Sequence, residues 1–165
     1  MPIFRLFKIC LFACCVSNVC HGQDASSEFV LDYMPPKDAE RVAEILPDAR
    51  LLKGGIRFVE TKAGSGPKFK KGDTVTALYV GKFLDGRIFN QKQSRYHNFR
   101  FEVGADPREI IEGWEIAMPL MQNGGEYTVA VPSQFAYKDK GRAGQVPPYT
   151  TVMFDIQIID WEAAR

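Results

Sequence analysis

The sequence predicts an α+β domain: an antiparallel sheet of about five strands with one amphipathic helix lying across a face. Three observations lead there. Short runs of β-branched and aromatic residues alternate with polar ones from residue 56 to residue 159. Glycine- and proline-bearing turns separate them too closely for the crossovers that parallel strands need. Within that stretch one segment, beginning at Asp106-Pro107, repeats its apolar residues every three or four positions.

In chain order, Asp38 reads as the cap of a short helix over 38–46, with Ala39, Val42, Ala43 and Leu46 at helical spacing and Pro47 limiting its length. Ile56 and Phe58 alternate with Arg57 and Val59, a strand that ends at Gly64-Ser65-Gly66-Pro67. The basic run Lys68-Phe69-Lys70-Lys71 reads as a solvated turn. Thr74 to Leu84 is the longest strand candidate and closes on the tight turn Asp85-Gly86. Phe99 and Phe101 flank Arg100 and so share one strand face. In the helix, Asp106 is the expected cap and Pro107 the first helical residue, followed by the apolar face Ile110, Ile111, Trp114, Ala117 and Met118. Glu112 and Glu115 read as its solvated side, and Pro119 with Gly124-Gly125 closes it. Tyr127, Val129 and Val131 alternate next. In the last strand Val152, Phe154, Ile156 and Ile158 alternate with Met153, Asp155, Gln157 and Ile159.

All four cysteines (Cys10, Cys14, Cys15 and Cys20) precede residue 21. Residues 1–22 carry the parts of an export signal. Arg5 and Lys8 are followed by an apolar run from Ile9, and Cys20-His21-Gly22 sets small residues before a cut. Twelve apolar positions make about 18 Å of helix, too short for a stable membrane span. The expected organisation is a signal over 1–22, an extension with a short helix over 23–54 and one domain over 55–162. An uncleaved tail with acylated cysteines is the alternative for the leader. The terminal Trp161-Glu162-Ala163-Ala164-Arg165 has no Lys-Asp-Glu-Leu-type retention signal, which points to a secreted or periplasmic location over a lumenal one. The extension is short and holds Pro35, Pro36 and Pro47, so a monomer is expected.

Beyond the leader there is no cysteine, and His97 is the sole histidine, in a polar loop. A cysteine nucleophile, a zinc ribbon and a histidine-based triad are therefore excluded for the body. The formal net charge of +1 excludes nucleic acid as the main partner, since affinity for phosphate backbones needs an excess of Lys and Arg. Gly64-Ser65-Gly66 lacks the glycine and lysine of a phosphate loop.

What is abundant is aromatic: twelve Phe, six Tyr and two Trp. Their order along the chain is informative. Tyr79-Val80-Gly81, Asp85-Gly86 and Phe89 are followed by Phe99-Arg100-Phe101, then Ile110-Ile111-Glu112-Gly113-Trp114-Glu115, Phe135-Ala136-Tyr137, Val146-Pro147-Pro148 and Phe154-Asp155. This series, over roughly 55–160, resembles the FKBP family of peptidyl-prolyl isomerases, the tacrolimus-binding immunophilins.

The resemblance implies a five- to six-stranded antiparallel sheet wrapped around the helix, with an apolar pocket between them. Position by position, it implies Tyr79, Phe89 and Phe99 as pocket walls, Trp114 as the floor, and Ile110 and Ile111 at the helix entry. The Ile111 backbone N–H would meet a ligand carbonyl. Tyr137 would offer its hydroxyl from the loop 133–150, and Val146 and Phe154 would complete the wall. The implied reaction is rotation about Xaa-Pro bonds, without cofactor or metal. The implied partners are proline-containing polypeptides and macrolides such as tacrolimus or rapamycin. Asn90 stands where many members have aspartate; it keeps an acceptor oxygen but loses the charge, weakening any pairing with nearby Arg95. Lys138-Asp139-Lys140 stands where the family usually places a glycine after the tyrosine. An isomerase and a non-catalytic peptide-binding or chaperone module both fit these residues. A purely structural β domain would instead bury Tyr79, Phe89 and Trp114 with no open pocket between them.

Overall fold

The computed structural model describes residues 31–165; the leader and the first part of the extension lie outside the described residues. A helix, α1 (Pro36–Ile45), is followed by strands β1 (Arg50–Leu51), β2 (Arg57–Lys62), β3 (Thr74–Lys82), β4 (Ile88–Lys92) and β5 (Phe99–Glu102). Then come helix α2 (Glu112–Ala117) and strands β6 (Glu126–Val131) and β7 (Val152–Glu162). Every strand pairing is antiparallel, in the order β1-β2-β6-β7-β3-β4, with β5 also paired to β3. The architecture is the expected α+β one, with seven strands. The two beyond the alternating runs are the two-residue β1 and the β4 arm of the hairpin turned at Asp85-Gly86. That turn is closed by Gly86 N–H to Phe83 O at 3.0 Å, and Gly86 takes φ 89°, which a side chain would resist.

Alternation sorts the sheet into two faces. Val75 and Ala77 of β3, Phe101 of β5, Tyr127, Val129 and Val131 of β6, and Val152, Phe154, Ile156 and Ile158 of β7 point to one face. Trp114, Ala117, Met118 and Met121 cover them from the helix and the turn after it. The other face is capped at one end by α1: Val42, fully buried, and Met34 pack on Ala130 and Met153. Met153 belongs to the outward set by alternation and is buried because the extension reaches it. Arg57 Nη2 donates to Asp32 Oδ2 at 2.7 Å and fastens the segment leading into α1.

Three local expectations need correction. Helix α1 starts at Pro36 and ends at Ile45, and Asp38 makes no capping bond. Proline fills the first turn, where its missing N–H costs nothing, and Asp38 adds only a favourable charge there. Helix α2 starts at Glu112, not at Asp106-Pro107, which lie in a turn containing a cis peptide bond. Ile110 and Ile111 match helical spacing yet sit on the approach to the helix; Ile111 is extended at ψ 151°, so the apolar pattern overruns the helix. Among the lysines of 68–71, Phe69 is buried, its ring 6.0 Å from that of Trp161, so only the charges of this turn are solvated. The turn's end is held by buried Asp73, whose carboxylate accepts from Lys70 N at 3.0 Å and Ala164 N at 2.9 Å. Among the described residues no helix is long and apolar enough to cross a membrane.

Candidate active site

Helix α2 lies over the inner face where β3, β5 and β7 present aromatic rings. Gly113 allows this: a Cβ there would stand 2.4 Å from Val131 Cγ1, so only a glycine lets the helix backbone seat on β6. Trp114 then drops between strands. Its ring centroid is 5.5 Å from Tyr79, 6.3 Å from Phe99, 5.9 Å from Phe101 and 5.4 Å from Phe154, each in an edge-to-face arrangement that aromatic quadrupoles favour. Above this floor a cavity of about 270 Å³ opens to solvent, lined by Tyr79, Phe99, Glu109, Ile110, Ile111, Trp114, Tyr137, Arg142 and Phe154. The open cavity rules out the packed structural domain. Trp114 Nε1–H has no hydrogen-bond partner among the described residues.

Seven of the ten residues anticipated for the site line this cavity. The other three stand behind it. Phe89 packs edge-on to the lining rings of Tyr137 at 6.1 Å and Phe154 at 5.7 Å. Val146 is buried in the main core. Asn90 acts through a neighbour: Tyr79 Oη donates to Asn90 Oδ1 at 2.8 Å, and Asn90 Nδ2 donates to Gln145 Oε1 at 3.3 Å. The partners of Asn90 are thus Tyr79 and Gln145, not Arg95. Arg95 is exposed and its carbonyl accepts from Asn98. Exposed His97 closes a turn with Ser94.

The two tyrosines differ in what they can offer. Burial pushes both hydroxyls above their ordinary pKa, keeping them protonated; the nearby Arg142 charge works against that rise. Tyr79 spends its proton on Asn90, whereas Tyr137 donates to no residue among those described. Ile111 ends the approach to α2; its carbonyl accepts from Trp114 N at 3.0 Å, so the backbone at the cavity edge is fixed. Glu115 departs from the solvated role expected of it. It is partly buried, accepts from Gly104 N at 3.1 and 3.0 Å, and burial raises its pKa. Glu112 instead pairs at 3.0 Å with Arg108 and at 4.0 Å with Lys138.

The loop carrying Tyr137 is closed by short-range bonds: Lys138 N–H to Ser133 O at 2.8 Å, Tyr149 N–H to Lys138 O at 2.9 Å, and Arg142 with Val146 in both directions at 2.8 and 2.9 Å. Lys138 adopts φ 56°, the left-handed region where a Cβ is costly. The loop therefore keeps a glycine-like turn with a lysine in it. Lys138→Gly is expected to raise unfolding stability by about 0.5–1 kcal/mol in urea titrations; a fall of that size would show that the lysine is not strained.

A second, shallower depression of about 570 Å³ lies on the outer face, among Leu78, Val80, Glu126, Thr128, Asp155 and Gln157. Its polar groups satisfy one another. Asp155 accepts from Lys82 and, at 2.8 Å, from Thr128, and Glu126 accepts from Gln157 at 3.2 Å.

Residues 66–159 match the model of the family described as FKBP-type peptidyl-prolyl cis-trans isomerase. The chain belongs to this family. It is 31% identical over 124 residues to a "Peptidyl-prolyl cis-trans isomerase" of Saccharomyces cerevisiae, covering 75% of this chain and 29% of that protein. It is 33% identical over 108 residues to "FK506-binding protein 4" of Dictyostelium discoideum, covering 66% of this chain and 29% of that one. The chain thus spans about three-tenths of the length of these curated relatives. A solved peptidyl-prolyl cis-trans isomerase of Pseudomonas syringae superposes with a TM-score of 0.65 at 28% identity, covering 78% of this chain and 97% of that one. The family match begins after β2, whereas the superposition on the Pseudomonas syringae structure, at 78% of this chain, also takes in residues before 66.

Proposed function

We propose that this FKBP domain accelerates cis-trans rotation of Xaa-Pro bonds in exported polypeptides. The observation that carries the reading is the cavity itself, an aromatic and branched-aliphatic recess edged by the Tyr137 hydroxyl and the backbone at Ile111. Rotation about an Xaa-Pro bond crosses about 20 kcal/mol because the planar amide must give up its resonance. No bond is made or broken, so no nucleophile is required. The twisted transition state is less dipolar than the planar amide, and an apolar recess favours it over the ground state. Trp114 and Phe99 hold the proline ring, and the two donors hold the carbonyls in the twisted geometry. Export rests on the charge and apolar pattern of residues 1–22. Tacrolimus and rapamycin are proposed ligands of the same recess.

The test is a cis-to-trans assay on short Xaa-Pro peptides. The wild type is expected to accelerate isomerisation. Phe89→Ala, which removes the ring that backs Tyr137 and Phe154, should lose most of that rate, and Tyr137→Phe about ten-fold. Acceleration no faster than the uncatalysed background overturns the reading. In that case a shift of tryptophan fluorescence on adding tacrolimus, absent in Trp114→Phe, would favour the peptide-binding module, with Trp161 as the constant background.

A further inference from the structure

The cavity's rim carries two opposite charges, and they are not equivalent. Glu109 is occupied: its Oε2 accepts from Glu102 N at 2.8 Å, which turns the carboxylate toward the backbone of β5. Arg142, across from it on the loop that bears Tyr137, forms no ion pair with any described carboxylate. Its backbone is nevertheless fixed. The two bonds between Arg142 and buried Val146 make a small bridge. Gly141 enters that bridge at φ 62°, with its would-be Cβ 2.3 Å from Val146 O. A guanidinium that neighbours the Tyr137 hydroxyl but has no carboxylate partner among the described residues is thus held at the mouth of an apolar recess, facing whatever flanks the group in the recess.

We propose that Arg142 is a specificity-determining residue, selecting polypeptides with an aspartate or glutamate beside the proline. The proposal rests on the isomerase reading for its substrate and adds the charge that substrate should carry. The guanidinium donates in a planar fork that matches a carboxylate, and leaving water at the rim of an apolar wall strengthens the pair relative to bulk solvent. Arg142 also makes itself felt inside the recess, where its charge acts on the Tyr137 and Tyr79 hydroxyls. A lysine beside the proline would meet that charge and be disfavoured.

The experiment compares capped peptides that carry Glu, Gln, Lys or Leu immediately before or after the proline. It uses the wild type, Arg142→Gln and Arg142→Glu at low ionic strength. The quantity read is the Glu-to-Gln ratio of kcat/KM within each protein, so a loss common to all peptides cancels. At one of the two positions the wild-type ratio is expected to be about three- to five-fold, the range of a solvent-edged ion pair. It should shrink toward one in about 0.5 M salt and in Arg142→Gln, and Arg142→Glu should favour Lys. A wild-type ratio of one at both positions, or a ratio that Arg142→Gln leaves unchanged, overturns the proposal. The same peptides are titrated against tryptophan fluorescence. If none is isomerised but Glu peptides still bind more tightly than Gln peptides in an Arg142-dependent way, the isomerase reading falls and the role of Arg142 stands.

Discussion

Trp114→Ala is expected to lower the unfolding free energy by about 4 kcal/mol, the largest loss at any single position of the site. The indole is 3% exposed and meets four rings, from β3, β5 and β7. Truncation removes the transfer energy of a large ring and the edge-to-face contacts together. The void cannot collapse, because the rings around it are fixed to three strands, and it merges with the existing cavity of about 270 Å³. Trp114→Phe keeps one ring on the floor and should cost about 1–2 kcal/mol. Urea unfolding followed by far-ultraviolet circular dichroism checks both, since the tryptophan signal changes with the mutation. A loss under about 1 kcal/mol for the alanine variant would mean that the ring sits on the domain rather than inside it.

Gly113→Ala is expected to cost about 2 kcal/mol, for the opposite reason. The added methyl would lie 2.4 Å from Val131 Cγ1 and 2.9 Å from Cγ2. Valine is β-branched with one preferred rotamer, and Val131 is pinned to Val152 within the sheet, so it cannot step aside. The helix must lift instead, carrying the Ile111 backbone and Trp114 with it. Isomerase activity should therefore fall under conditions where the variant is still fully folded. In Gly113→Ala/Val131→Ala the second change vacates the space, so the double variant should be more stable than the sum of the two single losses predicts, by about 1 kcal/mol or more. Simple additivity would show that the helix and β6 are not in the close register described.

Much of this architecture is legible in the sequence because its strands are buried on one face and alternate cleanly; Tyr127-Val131 and Val152-Ile158 are the clearest. The parts that escape do so for identifiable reasons. Strand β4 shows no alternation: Ile88 is exposed, and the strand joins the sheet through β3 alone. The start of α2 is masked by Ile110 and Ile111, which are apolar because the cavity wants them, not because a helix does. Within the site, the aromatic residues are readable as a series, but the polar ones depend on loop closure. Asn90 finds Gln145, 55 positions away, instead of Arg95 in its own neighbourhood. Glu115 reads as a solvated helix residue until Gly104 is brought beneath it. Arg142 offers a signal in retrospect: a lone cation between glycines Gly141 and Gly144, in a loop that ends in the buried Val146.

The position of β7 also bears on when the domain can exist. It is the latest strand along the chain, yet it lies in the interior of the sheet, joined to β6 on one side and to β3 on the other. Thr74, at the start of β3, pairs with Glu102 of β5 on one side, but its other partner is Glu162. During synthesis the earlier strands must wait, with their apolar faces uncovered, until this last one is available to bridge them. Contacts so distant along the chain slow folding, because the entropy of closing the loop is lost before any pairing compensates for it. An enzyme proposed to hasten the folding of other chains would thus begin as a slow folder, with no recess to offer until its own final strand has docked.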